Sequence, residues 1–432
     1  MINANTTNGS SLWFKVAKYL GDKNLVKPVE AKNINQIGKE SFSNDSSITS
    51  KHYLSINDVP NIWDALDVND MFLGKSFLSC IELYAPKGMK FVYWVFLKGE
   101  QPIGFAYGQL LRFNTYESVS ALHQEVKGNG WQRFQFAVKK FIAQKLNFSG
   151  LVIGNLMMTG EHGFYFDKAA TANIDIPSLL THTITETKKQ LKSKRVNLHL
   201  LKDYFDHTPL DFQKVEAERY QRFAIQPNMI VKIRPEWKNF DDYLQAMSSK
   251  YRVRAKRAFK KGKDIEKKEL SLDEIDQHNS RIFDLYQNIV KNAPFNTLFL
   301  NERYFYGLKE YLKDDFKLIG YFIDNKLIGF YTLLFGQHDV DAHFLGLDNE
   351  YNNKHQVYLN MLYDMIRKGI DTGMKEVIMA RTALEIKSSV GAEPFGMFVY
   401  TKFQNPIINT LLKRFAADWL KPAEWTQRKP FK

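Results

Sequence analysis

Cysteine is nearly missing from this sequence. Cys80 is the only one in 432 residues, so no intrachain disulfide and no cysteine-ligated zinc site can form. That usage fits a reducing compartment. Long apolar runs are missing too. The best stretch, Leu318 to Phe335, is interrupted by Asp324-Asn325-Lys326, and a membrane-crossing helix needs about 18 or more apolar residues. The start, Met1-Ile2-Asn3-Ala4-Asn5-Thr6-Thr7-Asn8, lacks the basic, apolar and small-residue sequence of a secretory leader. The expected location is cytoplasmic, with peripheral contact at the inner membrane face as an extension of that reading. There is no phosphate-binding Gly-x-x-x-x-Gly-Lys loop, no His-Glu-x-x-His, no Gly-x-Ser-x-Gly and no dinucleotide fingerprint. The ten histidines are scattered; no metal and no tightly bound cofactor is expected.

What the chain does have is ordinary globular composition, 44% hydrophobic and 25% charged, with length for two or three domains. It also has a net charge of +13, which favours anionic partners such as nucleic acid, phosphorylated ligands or an anionic membrane. The excess is concentrated. Gln245 to Lys268 holds ten cations against two anions.

Residues 1–50 read as a polar N-terminal arm, docked through Trp13 and Phe14. Trp63 to Tyr84 has helical spacing. Phe91–Leu97 and Ile103–Leu110 read as strands around the turn Lys98-Gly99-Glu100-Gln101-Pro102. The pattern returns at Lys317–Ile323 and Leu327–Leu334, around Asp324-Asn325-Lys326. Ile103-Gly104-Phe105 matches Ile328-Gly329-Phe330, half a chain away, which suggests an internal duplication. After each hairpin come a strand, a loop, a helix and a strand. In the first half these are Leu151–Leu156, the glycine-bearing Thr159–Gly163, Pro177–Lys194 and Val196–Leu201. In the second they are Val340–Leu347, Asp348–Lys354, His355–Thr372 and Lys375–Arg381. Tyr243–Lys263, Thr297–Leu312 and the amphipathic Ile407–Leu420 read as helices. The expected fold is therefore α/β (α+β), mixed-sheet, in two units at 51–230 and 231–432, the second carrying the basic helix 245–268 and the C-terminal helix.

The order helix, hairpin, strand, loop, helix, strand resembles the GNAT acyltransferase superfamily. Two such units with a basic helical insertion resemble its Fem-type peptidyltransferases. The sharpest match is Ser249-Lys250-Tyr251-Arg252-Val253-Arg254-Ala255-Lys256-Arg257-Ala258-Phe259-Lys260-Lys261-Gly262, similar to the Fem-type segment of Ser-Lys, spaced arginines, Ala and Lys-Gly. The GNAT loop that carries glycines is here Asn352-Asn353-Lys354-His355-Gln356-Val357-Tyr358, with none. This departure speaks against acetyl-CoA itself but not against acyl or aminoacyl transfer. The resemblance implies an amide-forming N-acyltransferase or aminoacyltransferase. Its donor would be an acyl-CoA or an aminoacyl-tRNA, and its acceptor an amine. Two rival readings stay open: a non-catalytic binding protein for tRNA or a cell-wall precursor, and an acyltransferase working on a lipid amine at the membrane face.

Candidate residues follow, each with a plainer alternative. On a strand, Asp341 and His343 share a face; His343 is a candidate base with Asp341 orienting it, or both are structural hydrogen-bonders. Arg381 and Lys387 are candidate anion ligands and Glu385 a reserve base, or all three decorate a surface turn. Lys250, Arg254, Arg257 and Lys261 recur at helical steps, forming a phosphate-binding stripe or a solvated face. Asn353 and Lys354 would assist a helix N-terminus in holding a donor's diphosphate, or belong to an ordinary connection.

Overall fold

The computed structural model describes residues 37–42, 45–114, 147–190, 196–291, 299–410 and 424–431. The expectation for Trp13 and Phe14, most of the arm, and the C-terminal helix beyond residue 410 lie outside these. Among the described residues, fourteen strands form one mixed sheet: β1 (Ile37–Phe42), β2 (Asp45–Tyr53), β3 (Lys90–Lys98), β4 (Gln101–Asn114), β5 (Asn147–Ile153), β6 (Phe164–Phe166), β7 (Val196–Phe205), β8 (Gln221–Lys232), β9 (Glu266–Glu269), β10 (Phe316–Ile323), β11 (Lys326–Phe335), β12 (Asp339–Leu347), β13 (Glu376–Ile378) and β14 (Glu393–Phe403). The helices that matter below are α1 (Lys75–Leu83), α2 (Ile176–Gln190), α3 (Phe240–Ala246), α4 (Ser249–Lys261), α5 (Asn279–Val290), α6 (Tyr304–Leu312), α7 (Asn349–His355), α8 (Val357–Asp371) and α9 (Leu384–Ser388). None of the described helices is long and apolar enough to cross a membrane.

The strand order is β1-β2-β3-β4-β5-β7-β14-β8-β13-β12-β11-β10-β9, with β6 attached to β4. Read from its two ends, the order is nearly a mirror. The hairpin β3–β4 stands beside β5, which runs parallel to β7. The hairpin β10–β11 stands beside β12, which runs parallel to β13. Residues 91–110 and 317–334 thus hold equivalent places. The halves also exchange strands: β8 pairs with β13, and β14 pairs with β7 and β8. That exchange joins the units into a single sheet across the boundary expected near residue 230.

Hydrophobic patterning explains the layers. Every interior residue of β3, Phe91 to Leu97, is buried, as expected of a strand covered on both faces. One face of the sheet carries a core shared by both halves, built from α1, α5 and α6. The other face carries a separate core in each half, one under α2 and one under α3, α4 and α8. Helix α4 docks through Ala255 and Ala258, its only fully buried residues, and the small side chains let it approach closely. At its end, Asn360 Nδ2 of α8 donates to the carbonyls of Ala258, His355 and Gln356 at 3.0–3.1 Å. His355 Nδ1 is 3.0 Å from the Lys261 carbonyl. A Cβ at Gly262 would lie 2.7 Å from Asn360 Nδ2, so a side chain here would push that amide off its carbonyls.

Several expected boundaries moved. Part of the arm is β1 and β2, a hairpin extending the sheet. Helix Trp63–Tyr84 is regular only over α1; Asp70 caps a short 3₁₀ turn at Met71–Leu73. The loop expected at Asp348–Lys354 is helix α7, capped by Asp348 and ended by Gln356 at φ 52°. The strand expected at Lys375–Arg381 is only Glu376–Ile378, because Ala380 and Ala383 turn the chain with positive φ.

Candidate functional site

The parallel pair β12/β13 is short. Only Asp339↔Glu376, Val340↔Val377 and Asp341↔Ile378 are in register, and beyond Asp341 the strands part. A bulge bends β12 at this point. Tyr331 faces Leu345 while Leu333 faces Ala342, so β12 carries one extra residue. Thr332 fixes the bulge: its Oγ1 accepts from Phe344 N at 2.9 Å and donates to Phe344 O at 2.8 Å. The side-chain phase shifts accordingly. Val340, Leu345 and Leu347 face the α8 core, whereas Phe344 packs on the shared core. Strand alternation would put the adjacent His343 and Phe344 on opposite faces; the bulge puts both on the same side.

Asp341, at the point of separation, is 3% exposed, and its Oδ2 has no hydrogen-bond partner. Burial, with Asp339 and Asp70 nearby, pushes its carboxyl up to about 7, against the pull of His162 and Lys387. Lys387 is not on a surface turn. It is buried in α9, donates to the Met379 carbonyl, and is held down to about 7 by burial, with Asp341 opposing. The two act on one another electrostatically without forming an ion pair. His343 is arranged differently from expectation. Its Nε2 lies 2.8 Å from Tyr304 OH, among the rings of Tyr304 and Phe344. Burial pushes its pKa down to about 3, so it is neutral at physiological pH and a weak base. Tyr304, not Asp341, is its partner.

Past the C-terminal ends of β12 and β13 opens a cavity of about 1170 Å³. Its walls are the elements that follow those strands, Gln356 at the head of α8 and Ala383–Ile386 of α9, together with α4 and the terminal segment. Lys250, Arg254 and Arg257 line it and make no ion pair with any described residue. Gln356 Oε1, also in the wall, is buried without a partner. Glu385 is at the rim, where Arg428 binds its carboxylate through Nε (3.0 Å) and Nη2. That pairing removes Glu385 as a free base. The segment bearing Arg428 is stapled on by Arg428 N to Ser388 Oγ (2.9 Å) and Ser248 N to the Pro430 carbonyl (2.8 Å).

The remaining candidates lie elsewhere. Arg381 Nη1 donates to Asp203 at 3.0 Å, in a buried group with Lys202, so its charge is committed to the structure. Lys261 lies beyond the cavity, at the end of α4. Asn353 and Lys354 are exposed on α7 and outside the cavity wall. Sequence reasoning missed Gln356 and Arg428, as well as Asp70 and His162. No local motif marks these residues; the fold brings them in from distant segments.

The family model FemAB-like, described as peptidoglycan biosynthesis/recognition, matches residues 166–422, more than half of the chain. The chain belongs to this family. No curated protein matches the FemAB-like chain. Among solved structures, FemX is similar at 12% identity and TM-score 0.47, over 80% of this chain and 98% of that one. A tandem GNAT protein from the clavulanic acid biosynthesis pathway is similar at 10% identity and TM-score 0.44, over 77% and 88%. A conserved protein of unknown function from Bacteroides thetaiotaomicron is similar at 12% identity and TM-score 0.44, over 81% and 97%.

Proposed function

We propose that this FemAB-like protein is an amide-forming acyl- or aminoacyltransferase acting on an amine in peptidoglycan-related metabolism. The observation that carries this reading is the large cavity with three unpaired cations, walled by the elements that follow two parallel strands; the first of those strands bears a buried, unpartnered carboxylate where the pair parts. Lys250, Arg254 and Arg257 suit the phosphates of a donor, either an acyl-CoA or the acceptor end of an aminoacyl-tRNA. The head of α8 adds a partial positive charge, although its Tyr358 N–H is already taken by Asn352 Oδ1 at 2.9 Å.

In the proposed step, the free amine attacks the donor carbonyl. A C–N bond forms, and the bond to the thiolate or ribose oxygen breaks. Asp341 takes the proton lost by the acceptor nitrogen, and that proton leaves with the departing sulfur or oxygen. A carboxyl titrating near 7 suits both halves of this relay. Catalysis otherwise rests on holding donor and amine together. The test is equilibrium binding of coenzyme A, long-chain acyl-CoA, aminoacyl-tRNA and uridine-diphosphate precursors, followed by turnover with whichever binds. Binding that Arg254→Ala with Arg257→Ala abolishes supports the reading. Binding of none of them, or binding indifferent to both substitutions, sinks it.

A further inference from the structure

On the shared-core face of the sheet, the two halves meet along a polar seam that the donor cavity does not use. From the first half come Asp70 and His162, paired at 2.8 Å and both partly exposed. From the second come Asp339, partly exposed, and Asp341 beneath it, two residues further along β12 and hence on the same face. Gln337 Nε2 donates to Asn69 Oδ1 at 2.9 Å, which ties the halves together next to Asp70 and Asp339. The groups sense one another. Asp70, Asp339 and Asp341 all act on His162, or it on them. Tyr107, fully buried with its hydroxyl toward the Asn155 amide, feels Asp70. Tyr304, which holds His343, feels both Tyr107 and Asp341.

The charges in this seam do not cancel. Of its basic groups, His162 is occupied by Asp70 and Lys387 by the Met379 carbonyl, while His338, next to Asp339 in sequence, acts on it without an ion pair. Asp339 at the rim and Asp341 Oδ2 on the floor are left with no cation at ion-pair distance among the described residues. Asp341 Oδ2 is moreover a buried polar atom without a partner. Buried polar atoms left unsatisfied are costly, and one such carboxylate oxygen beneath a second unpaired carboxylate, Asp339, suits a donor-rich cation. A primary ammonium brings three N–H donors and one positive charge.

We propose that the seam between the halves is the acceptor subsite, and that it selects an amine arriving as a cation. Asp339 receives the ammonium at the rim, and the nitrogen then moves inward to Asp341. The Asp70–His162 pair of the first half is a positioning element that forms the opposite wall. The donor enters from the basic cavity on the α8 side and the acceptor from an acidic seam on the other, so each mouth repels the other's ligand. The first half thereby contributes to the site rather than serving only as a scaffold. This rests on the transferase reading for its meaning, but its test does not need turnover.

The experiment follows the His162 ring resonances of the full chain by NMR during titration with N-acetyl-lysine methylamide, which bears one free ε-ammonium. The comparison compound is its ε-acetylated, neutral counterpart. The expected result is saturable shifts with the ammonium compound only, weakened about tenfold by Asp339→Asn. Asp339 is partly exposed, so that substitution leaves the fold intact. Equal shifts with both compounds, no shift with either, or shifts unchanged in Asp339→Asn would overturn the proposal. Phosphorylated donors failing to bind the basic cavity would remove the transferase reading while leaving the amine titration intact, so the two failures are distinguishable.

Discussion

Replacing Asp341 with asparagine should make the protein more stable and less active. The carboxyl is buried with one unpartnered oxygen, and its pKa rises from 3.8 to about 7. In the unfolded chain the same group ionises near 3.9. Because the folded-state pKa is the higher one, folding favours the protonated form. That contribution is fully present below the unfolded pKa and is lost as pH rises through the folded one. The amide of Asp341→Asn keeps the shape without the charge, so the variant's advantage is nil below about pH 4. It then grows by about 1.4 kcal/mol per pH unit and levels off above about pH 7. The ceiling is about 4 kcal/mol, already net of the compensating Lys387 charge, so about 2–4 kcal/mol is expected at pH 8. Urea unfolding of both proteins from pH 4 to pH 8 measures this directly. Turnover of Asp341→Asn should fall by roughly 10²–10⁴ at every pH, with donor binding retained. A stability difference independent of pH, or an asparagine variant weaker at pH 8, would refute the placement of this carboxyl as a buried, poised base.

Three further outcomes follow from the same geometry. Arg254→Ala with Arg257→Ala should weaken binding of a phosphorylated donor. It should also flatten the salt dependence by about 0.7–0.9 in log–log slope for each phosphate no longer neutralised, read by fluorescence titration between low and moderate salt. Gly262→Ala should cost about 1–3 kcal/mol in urea unfolding, because its Cβ would displace the Asn360 amide from three carbonyls; an unchanged midpoint would show that α4 is not locked there. His343→Gln should alter turnover by less than about tenfold and leave the pH profile in place, since the imidazole is already neutral. A loss of about 10²-fold or more would restore His343 as the proton acceptor.

Much of the fold was legible because the two hairpins announce themselves. Each is a β-rich run, a polar turn and a second run beginning with the same Ile-Gly-Phe, and in the sheet they stand in equivalent places. The strands at the centre were harder. β8 and β14 pair with partners from the other half of the chain, and no local pattern encodes a partner far along the sequence. Helix α7 was missed because Asn349-Glu350-Tyr351-Asn352-Asn353-Lys354 has the composition of a loop. Its Asp348 cap and the left-handed Gln356 make it helical in context. The basic helix was read in its cation spacing, which follows from helical geometry over buried Ala255 and Ala258, but not in its bounds: instead of 245–268 it runs Ser249–Lys261, with α3 ending at Ala246 before it and β9 at Glu266–Glu269 after it.

The site was legible in its charges and illegible in its pairings. The stripe Lys250, Arg254 and Arg257 lines the cavity, and Asp341 does stand where the strands separate. What alternation along a strand could not supply was the bulge at His343 and Phe344, nor the environment that separates the roles of Asp341 and His343. Burial acts on both in opposite senses: it raises the acid toward neutrality and lowers the imidazole far below it. A histidine beside an aspartate looks like a base with its orienting partner, yet desolvation turns the aspartate into the group poised near pH 7. The same reasoning explains why Arg381 and Glu385 looked available. Their partners, Asp203 and Arg428, lie 178 and 43 residues away, so only the folded chain shows that both charges are already spoken for. The cations that remain unpaired, on the exposed face of α4, are therefore the ones with charge left for a ligand.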